Sequence, residues 1–260
     1  MEKIITKGFI CLEDDYKFVY KIAKIEYHEF EDGNFKYSFH PFYKVTDMLL
    51  DHIFQGIPGI DLTLEKEVYE RKNIIPTFIS ERTPSEHRED LWSLLDENDM
   101  QSLNRLEWLI KTNKRYSGDR LFVIPFEGND IVKYETKSMY DLVKRSDSLI
   151  KKLLEIICNG DFLYTDEITI DNKTRLQYYR LLMPMYVRDY ESKKNVKMRG
   201  IEKAKEKKAY KGRKQIKIDP LLFNKVANEY VNGKISADQA SKMLKISRAT
   251  FFRRLRNKDD

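Results

Sequence analysis

The sequence predicts an α/β or α+β domain over residues 1–170, a long helix over 171–209 and a small all-α domain over 218–260. Three observations carry this reading. Aromatic, alternating segments flank an Asp32-Gly33 turn, the signature of a β-hairpin. From residue 171 the chain takes up helical spacing, apolar first and cationic later. The C-terminal end is divided into short helical stretches by capping residues.

The elements follow in order. Phe18–Ile22 and Ile25–Phe30 alternate, Glu31-Asp32-Gly33-Asn34 turns, and Phe35–Phe39 returns. A short helix is expected near Val45–Phe54, ended by Gly56-Ile57-Pro58-Gly59. Ile74–Ile79 reads as an edge strand because Pro76 cannot donate to a ladder. Ser85–Leu95 and Asn104–Ile110 read as helical, and Leu121–Ile124 as a buried strand. Met139–Cys158 has helical spacing closed by Asn159-Gly160, and Phe162–Tyr164 suits a further strand. The long helix carries Leu176, Tyr179, Leu182 and Met183, with a break or bend at Pro184.

Charge divides the chain. Residues 193–260 hold 21 Lys+Arg against 7 Asp+Glu, whereas the rest holds 27 against 35. A basic tail on an acidic body attracts a polyanion. Acidic membranes and acidic proteins are alternative takers. No apolar run is long enough to span a bilayer, and the N-terminus lacks the apolar run of a signal peptide. A cytoplasmic, nucleoid-associated protein is expected. Cys11 and Cys158 are too far apart in sequence for a ligand pair and are read as reduced core thiols. His28, His40, His52 and His87 have no zinc-site spacing, so no metal and no cofactor is expected.

The tail has finer structure. A basic arm over 210–217 contains Lys211, Gly212, Arg213 and Lys214. Gly212 lets backbone lie close to a partner, and Arg213 suits a narrow minor groove. Asp219-Pro220 opens a helix with Leu222, Val226, Tyr230 and Val231 as its stripe, and Gly233 stops it. Ser236 caps a second helix to Leu244, and Ser247 caps a third from Arg248 to about Asn257. Ser241 offers a small side chain at a close crossing, sealed by Leu244, Ile246, Phe251 and Leu255. This is a helix-turn-helix pattern. Arg248 is placed to read guanine and Thr250 a thymine methyl or phosphate. Arg253, Arg254 and Arg256, with Lys242, Lys245 and Ser247, face phosphates. Double-stranded DNA is the expected partner, bound by a homodimer. A three-helix protein-interaction module is the alternative.

Gly200–Lys205, Tyr210–Lys214 and Ile235–Leu255 together resemble the C-terminal part of small serine recombinases of the resolvase/invertase family. The resemblance covers about 60 residues and implies a dimer-forming long helix, a minor-groove arm and a terminal helix-turn-helix. Upstream it is faint. It implies a resolvase-like N-terminal domain with residues 16–70, including the aromatic hairpin, as insertion or replacement. Residues 9–13 would fall on the family's Tyr-Ala-Arg-Val-Ser, with Cys11 at the arginine and Glu13 at the nucleophilic serine. Arg88 would match one active-site arginine within Arg-Pro-Glu-Leu. Glu127, Gly128 and Ile131 would replace an aspartate and two arginines. A carboxylate for a hydroxyl and lost arginines remove both nucleophile and transition-state charge. The resemblance therefore implies DNA binding, in a regulatory or architectural role, without strand cleavage. The alternatives are an active recombinase with a diverged site, and an unrelated N-terminal domain fused to a resolvase-type tail. Three further charged groups stand out: Asp14-Asp15 and Glu65–Glu67 read as solvated carboxylates, and Glu81–Asp90 as a nuclease-like cluster.

Overall fold

The structure is a computed structural model that describes residues 2–116, 118–143, 148–207 and 216–256, with side chains from Thr6 onward. The chain divides into two compact units, Met1–Lys194 and Asn195–Asp260.

The first unit is mixed α/β, built on a five-stranded sheet. Strands β1 (Glu2–Glu13), β2 (Val19–Phe30), β3 (Phe35–Pro41), β4 (Tyr69–Lys72) and β5 (Leu121–Pro125) pair in the order β4-β3-β2-β1-β5. Every pairing in it is antiparallel. The expected hairpin is β2–β3, turned at Gly33 with φ +80°, which a Cβ would strain. It lies inside the sheet, between β1 and β4.

The two alternating halves of β2 are out of phase in sequence, and the register explains why. Ile10 pairs with Ala23 but Cys11 pairs with Lys21, so Ile22 is the extra residue of a bulge. The bulge returns Ile25 to the face that Tyr20 and Ile22 occupy, and all three are fully buried. That face packs with Leu12, Phe39, Phe78, Leu106 and Leu154 in the main core. The opposite face carries a smaller cluster of Phe9, Cys11 and Phe122.

Helices pack on this sheet: α1 (Tyr43–Thr46), α2 (Thr77–Ser80), α3 (Leu91–Asp96), α4 (Arg105–Thr112) and α5 (Leu149–Cys158). A small second sheet joins β6 (Lys133–Glu135), β7 (Phe162–Tyr164) and β8 (Thr169–Ile170), with β6 and β7 parallel. Several expectations are corrected. Ile74–Ile79 is not a strand, because extended Pro76 leads into α2, and the edge strand is the polar β4. The helices expected over 45–54 and 85–95 shrink to α1 and α3, with turns supplying the rest. The run 139–158 is split: Ser138 caps a single turn at Met139–Leu142, and Ser148 caps α5. Gly160 follows with φ +76°, as its place after α5 suggests.

Helix α6 spans Arg175–Glu206 and runs continuously through Pro184. Leu176, Tyr179, Leu182 and Met183 pack against the main core, as their spacing predicts. Arg175 begins the helix fully buried, at 1% exposure. Its guanidinium donates to the carbonyls of Ile157 (2.8 Å), Gly160 (2.9 Å) and Asp161 (2.9 Å). It thereby closes the C-terminal end of α5, where orphan carbonyls and the helix dipole favour a cation.

The second unit contains α7 (Pro220–Val231), α8 (Ala237–Met243) and α9 (Arg248–Arg256). They enclose Phe223, Val226, Ala227, Ala240, Leu244 and Phe251. No helix among the described residues is long and apolar enough to cross a membrane.

Candidate nucleic-acid interface

Local sequence chemistry fixes each helix of the second unit. The Asp219 side chain accepts from the Leu221 N–H at 3.0 Å, with Pro220 at the first helical position. Ser236 and Gln239 form a reciprocal capping box, at 3.2 Å and 2.8 Å. Ser247 accepts from the Thr250 N–H at 3.3 Å, and their hydroxyls meet at 2.9 Å. Gly233, two residues beyond the end of α7, has φ +71°.

Packing then orients α9. Phe251 has no exposed surface and meets Tyr230 edge-on, with centroids 5.3 Å apart at 89°. Full burial of such a ring contributes roughly 1.5–3 kcal/mol. Ser241 is buried, and its hydroxyl donates to the Asp238 carbonyl at 3.0 Å, so a small side chain sits inside the helix cluster. The stripe of α7 differs from the sequence expectation. Phe223, Val226 and Ala227 are buried, whereas Leu222 and Val231 are exposed. With Phe251 inward, Arg248, Ala249, Arg253 and Arg256 are exposed on α9 and Thr250 is half-buried.

Lys242, Lys245 and Ser247 are exposed beside that surface, so the expected tail residues are brought to neighbouring positions. Two have protein partners that sequence did not reveal. Arg248 Nε lies 3.4 Å from Asp238 Oδ1, across from α9 to α8, with both side chains more than half exposed. Arg254 donates to the Ile216 carbonyl, so it holds the segment leading into α7. Lys245, between α8 and α9, has φ +53°, the left-handed conformation its position in the turn implies. Lys211, Gly212, Arg213 and Lys214 lie outside the described residues.

The positions that the recombinase resemblance assigns in the first unit are in structural roles. Glu13 ends β1, accepting from Lys17 at 2.6 Å and from Arg115. These cations hold its carboxyl below the usual carboxylate range, the Lys17 bond most strongly. Cys11 packs with Phe9 and Phe122, and burial pushes its thiol up to about 12, far from a reactive thiolate. Arg88 pairs with Asp90 two residues on, with one contact at 3.0 Å. The charged group near Arg82 is also structural. Arg82 stacks between the rings of Phe78 (4.4 Å) and Tyr116 (4.8 Å) and pairs with Asp119. Arg105 fastens the same loop through Thr83 (2.7 Å), Pro84 (2.9 Å) and Glu86 (3.0 Å).

Asp14 is corrected from a solvated to a buried carboxylate. Its Oδ1 accepts from the Tyr16 and Phe18 N–H groups, both at 2.9 Å, and its Oδ2 from the Tyr20 hydroxyl at 3.0 Å. Among the described residues, no group of three or more His, Cys, Asp or Glu side chains is placed to hold a metal ion. No protein-family model matches this chain, and no curated protein matches it.

Proposed function

We propose that the chain is a sequence-specific DNA-binding protein. Its reader is a helix-turn-helix formed by α8 and α9, preceded by the basic arm over 210–217. The observation that carries this is the exposed Arg248, Arg253 and Arg256 on α9, with Lys242 and Lys245 beside it, on a scaffold buried around Phe251. The first residues of α9 enter the major groove and the surrounding cations meet phosphates. Arg248 must leave Asp238 to reach a base, and that exposed pair is worth less than about 1 kcal/mol. One such reader covers a short half-site. A homodimer through α6 supplies the second, and Leu181 and Met185, exposed one turn apart, suit such a contact.

The proposed role is regulatory or architectural, without strand cleavage. Support comes from the antiparallel sheet, since recombinase ancestry of the first unit implies a parallel one, and from the structural ties of Cys11, Glu13 and Arg88. These features favour an N-terminal domain of separate origin carrying a resolvase-type tail.

The test is selection of duplex DNA from a random pool by the full chain, followed by affinity against salt. Binding is expected with a steep negative salt slope. Arg253→Ala reduces that slope by about 0.9. Arg248→Ala relaxes choice at one base pair and costs about 1–3 kcal/mol. Absence of duplex binding at roughly 50 mM salt refutes the reading. Covalent protein–DNA adducts on the selected site would refute its non-cleaving half.

A further inference from the structure

The first unit contains a cleft of about 500 Å³ between residues 47–53 and the N-terminal half of α6. Its walls are mainly apolar, with Met48, Ile53, Leu176, Met183 and Val187 among them. That volume and lining suit a small organic molecule.

The polar groups at the cleft are biased toward accepting hydrogen bonds. Asp14 lines it with 5% of its surface exposed and, among the described residues, has no ion-pair partner. Its hydrogen-bond donors are all neutral. A desolvated carboxylate without a countercation is costly, and burial raises its proton affinity accordingly. The Tyr20 hydroxyl spends its only hydrogen on ionised Asp14, so Tyr179 donates in the 3.2 Å bond between the two phenols. Tyr179 lines the cleft, and its oxygen keeps acceptor capacity. Pro184 adds a third. It has no N–H, so the Arg180 carbonyl loses its usual donor four residues on, and both residues line the cleft. Against these stand two guanidiniums and the exposed His52 ring. Arg120 is held by Asp15 at 2.8 Å, and Arg180 is exposed, where water screens it.

We propose that this cleft binds a small organic ammonium, an apolar body bearing one protonated amine. The amine takes the place of the missing countercation, donating toward Asp14, the Arg180 carbonyl and the Tyr179 oxygen. The apolar body lies along Met183 and Val187. Tyr16 and Tyr179 also line the cleft, so aromatic rings stand in its walls beside the charge.

Titration calorimetry of the full chain at neutral pH tests this with three probes of similar shape: phenethylamine, phenethyl alcohol and 3-phenylpropionate. The amine is expected to bind at least tenfold more tightly than the alcohol, and the carboxylate no better than the alcohol. Asp14→Asn brings the amine down to the level of the alcohol. Val187→Trp, filling the cleft from α6, abolishes binding of both. Equal affinity for amine and alcohol, preference for the carboxylate, or no binding of any probe overturns the proposal. So does an amine preference that survives in folded Asp14→Asn protein. Should that variant fail to fold, unchanged amine binding by folded Val187→Trp overturns it instead.

Discussion

Lys245 offers a perturbation whose effects on stability and on DNA binding have opposite signs. It joins α8 to α9 with φ +53°, a conformation that a Cβ disfavours and glycine adopts freely. Lys245→Gly relieves about 1–2 kcal/mol of backbone strain. It also lets the unfolded chain gain entropy worth roughly 0.5–1 kcal/mol. The net gain is about 0.5–1 kcal/mol. The lysine ammonium is exposed, so no buried contact is lost in the exchange. Both tryptophans, Trp92 and Trp108, lie in the first unit and do not report on α8 and α9. The suitable readout is hydrogen exchange at the amides of Leu244 and Phe251, which donate to Ala240 at 3.1 Å and to Ser247 at 3.0 Å. Their protection should rise by a factor of about two to five, the equivalent of that net gain. Duplex-DNA affinity should fall, with the salt slope reduced by about 0.9 for one lost phosphate contact. Lower protection in the variant refutes the strain argument. Raised protection with unchanged affinity and slope refutes the phosphate assignment alone.

Arg175→Met removes four charged-donor bonds; the carbonyls of Gly160 and Asp161 lose their guanidinium donor, whereas those of Ile156 and Ile157 keep the N–H groups of Asp161 (3.0 Å) and Gly160 (3.1 Å). At roughly 1–3 kcal/mol for each unsatisfied group, partly relaxed, denaturant unfolding of the first unit should show a loss of about 3–5 kcal/mol. Ser236→Ala breaks the capping box of α8, and thermal unfolding of the second unit should register a loss of about 1 kcal/mol. Burial raises the Asp14 carboxyl above its ordinary value, so the folded chain binds that proton more tightly than the unfolded chain. Stability contributed by this group is present at low pH and falls as pH rises from the ordinary carboxylate value through the raised one. Asp14→Asn does not titrate, so in urea unfolding it should gain on the wild type over that window, and a constant difference would contradict the assignment.

How much of this was legible depends on whether the determinant is local. The β2–β3 hairpin announces itself through period-2 alternation and an Asp-Gly turn. The caps at Asp219, Ser236 and Ser247 lie within three residues of the N–H groups they satisfy. Ser148, likewise local, marked the split before α5, but the apolar spacing on both sides masked it. Strand β4 gave no pattern at all: Tyr-Glu-Arg-Lys buries only Tyr69, as an edge strand can. In α7 two adjacent stripes satisfied the same helical spacing. The packing of Phe223 against Phe251, with centroids 6.0 Å apart, selects the one containing Phe223 and Ala227. The bond from Arg254 to the Ile216 carbonyl has no sequence signature, because its partner is a backbone atom 38 residues away.

The same distinction separates the two candidate sites. The cationic surface of α9 follows from one helix, its cap and one buried phenylalanine, all within ten residues, so sequence alone indicates it. The cleft draws Asp14 from the end of β1, Met48 and Ile53 from the segment after α1, Arg120 from the turn before β5, and Tyr179 to Val187 from α6. No spacing rule joins those positions, because the sheet order and the packing of α6 bring them together. Asp14 illustrates the consequence. Beside Asp15 it reads as one of two solvated carboxylates, yet the turn that follows β1 folds its side chain onto two backbone N–H groups and the Tyr20 hydroxyl. Its neighbour stays 77% exposed and pairs with Arg120. One residue along the chain, the same chemical group passes from a surface charge to a buried one with no ion pair among the described residues. Non-local placement of this kind sets what the first unit can bind, as local capping sets what the second presents.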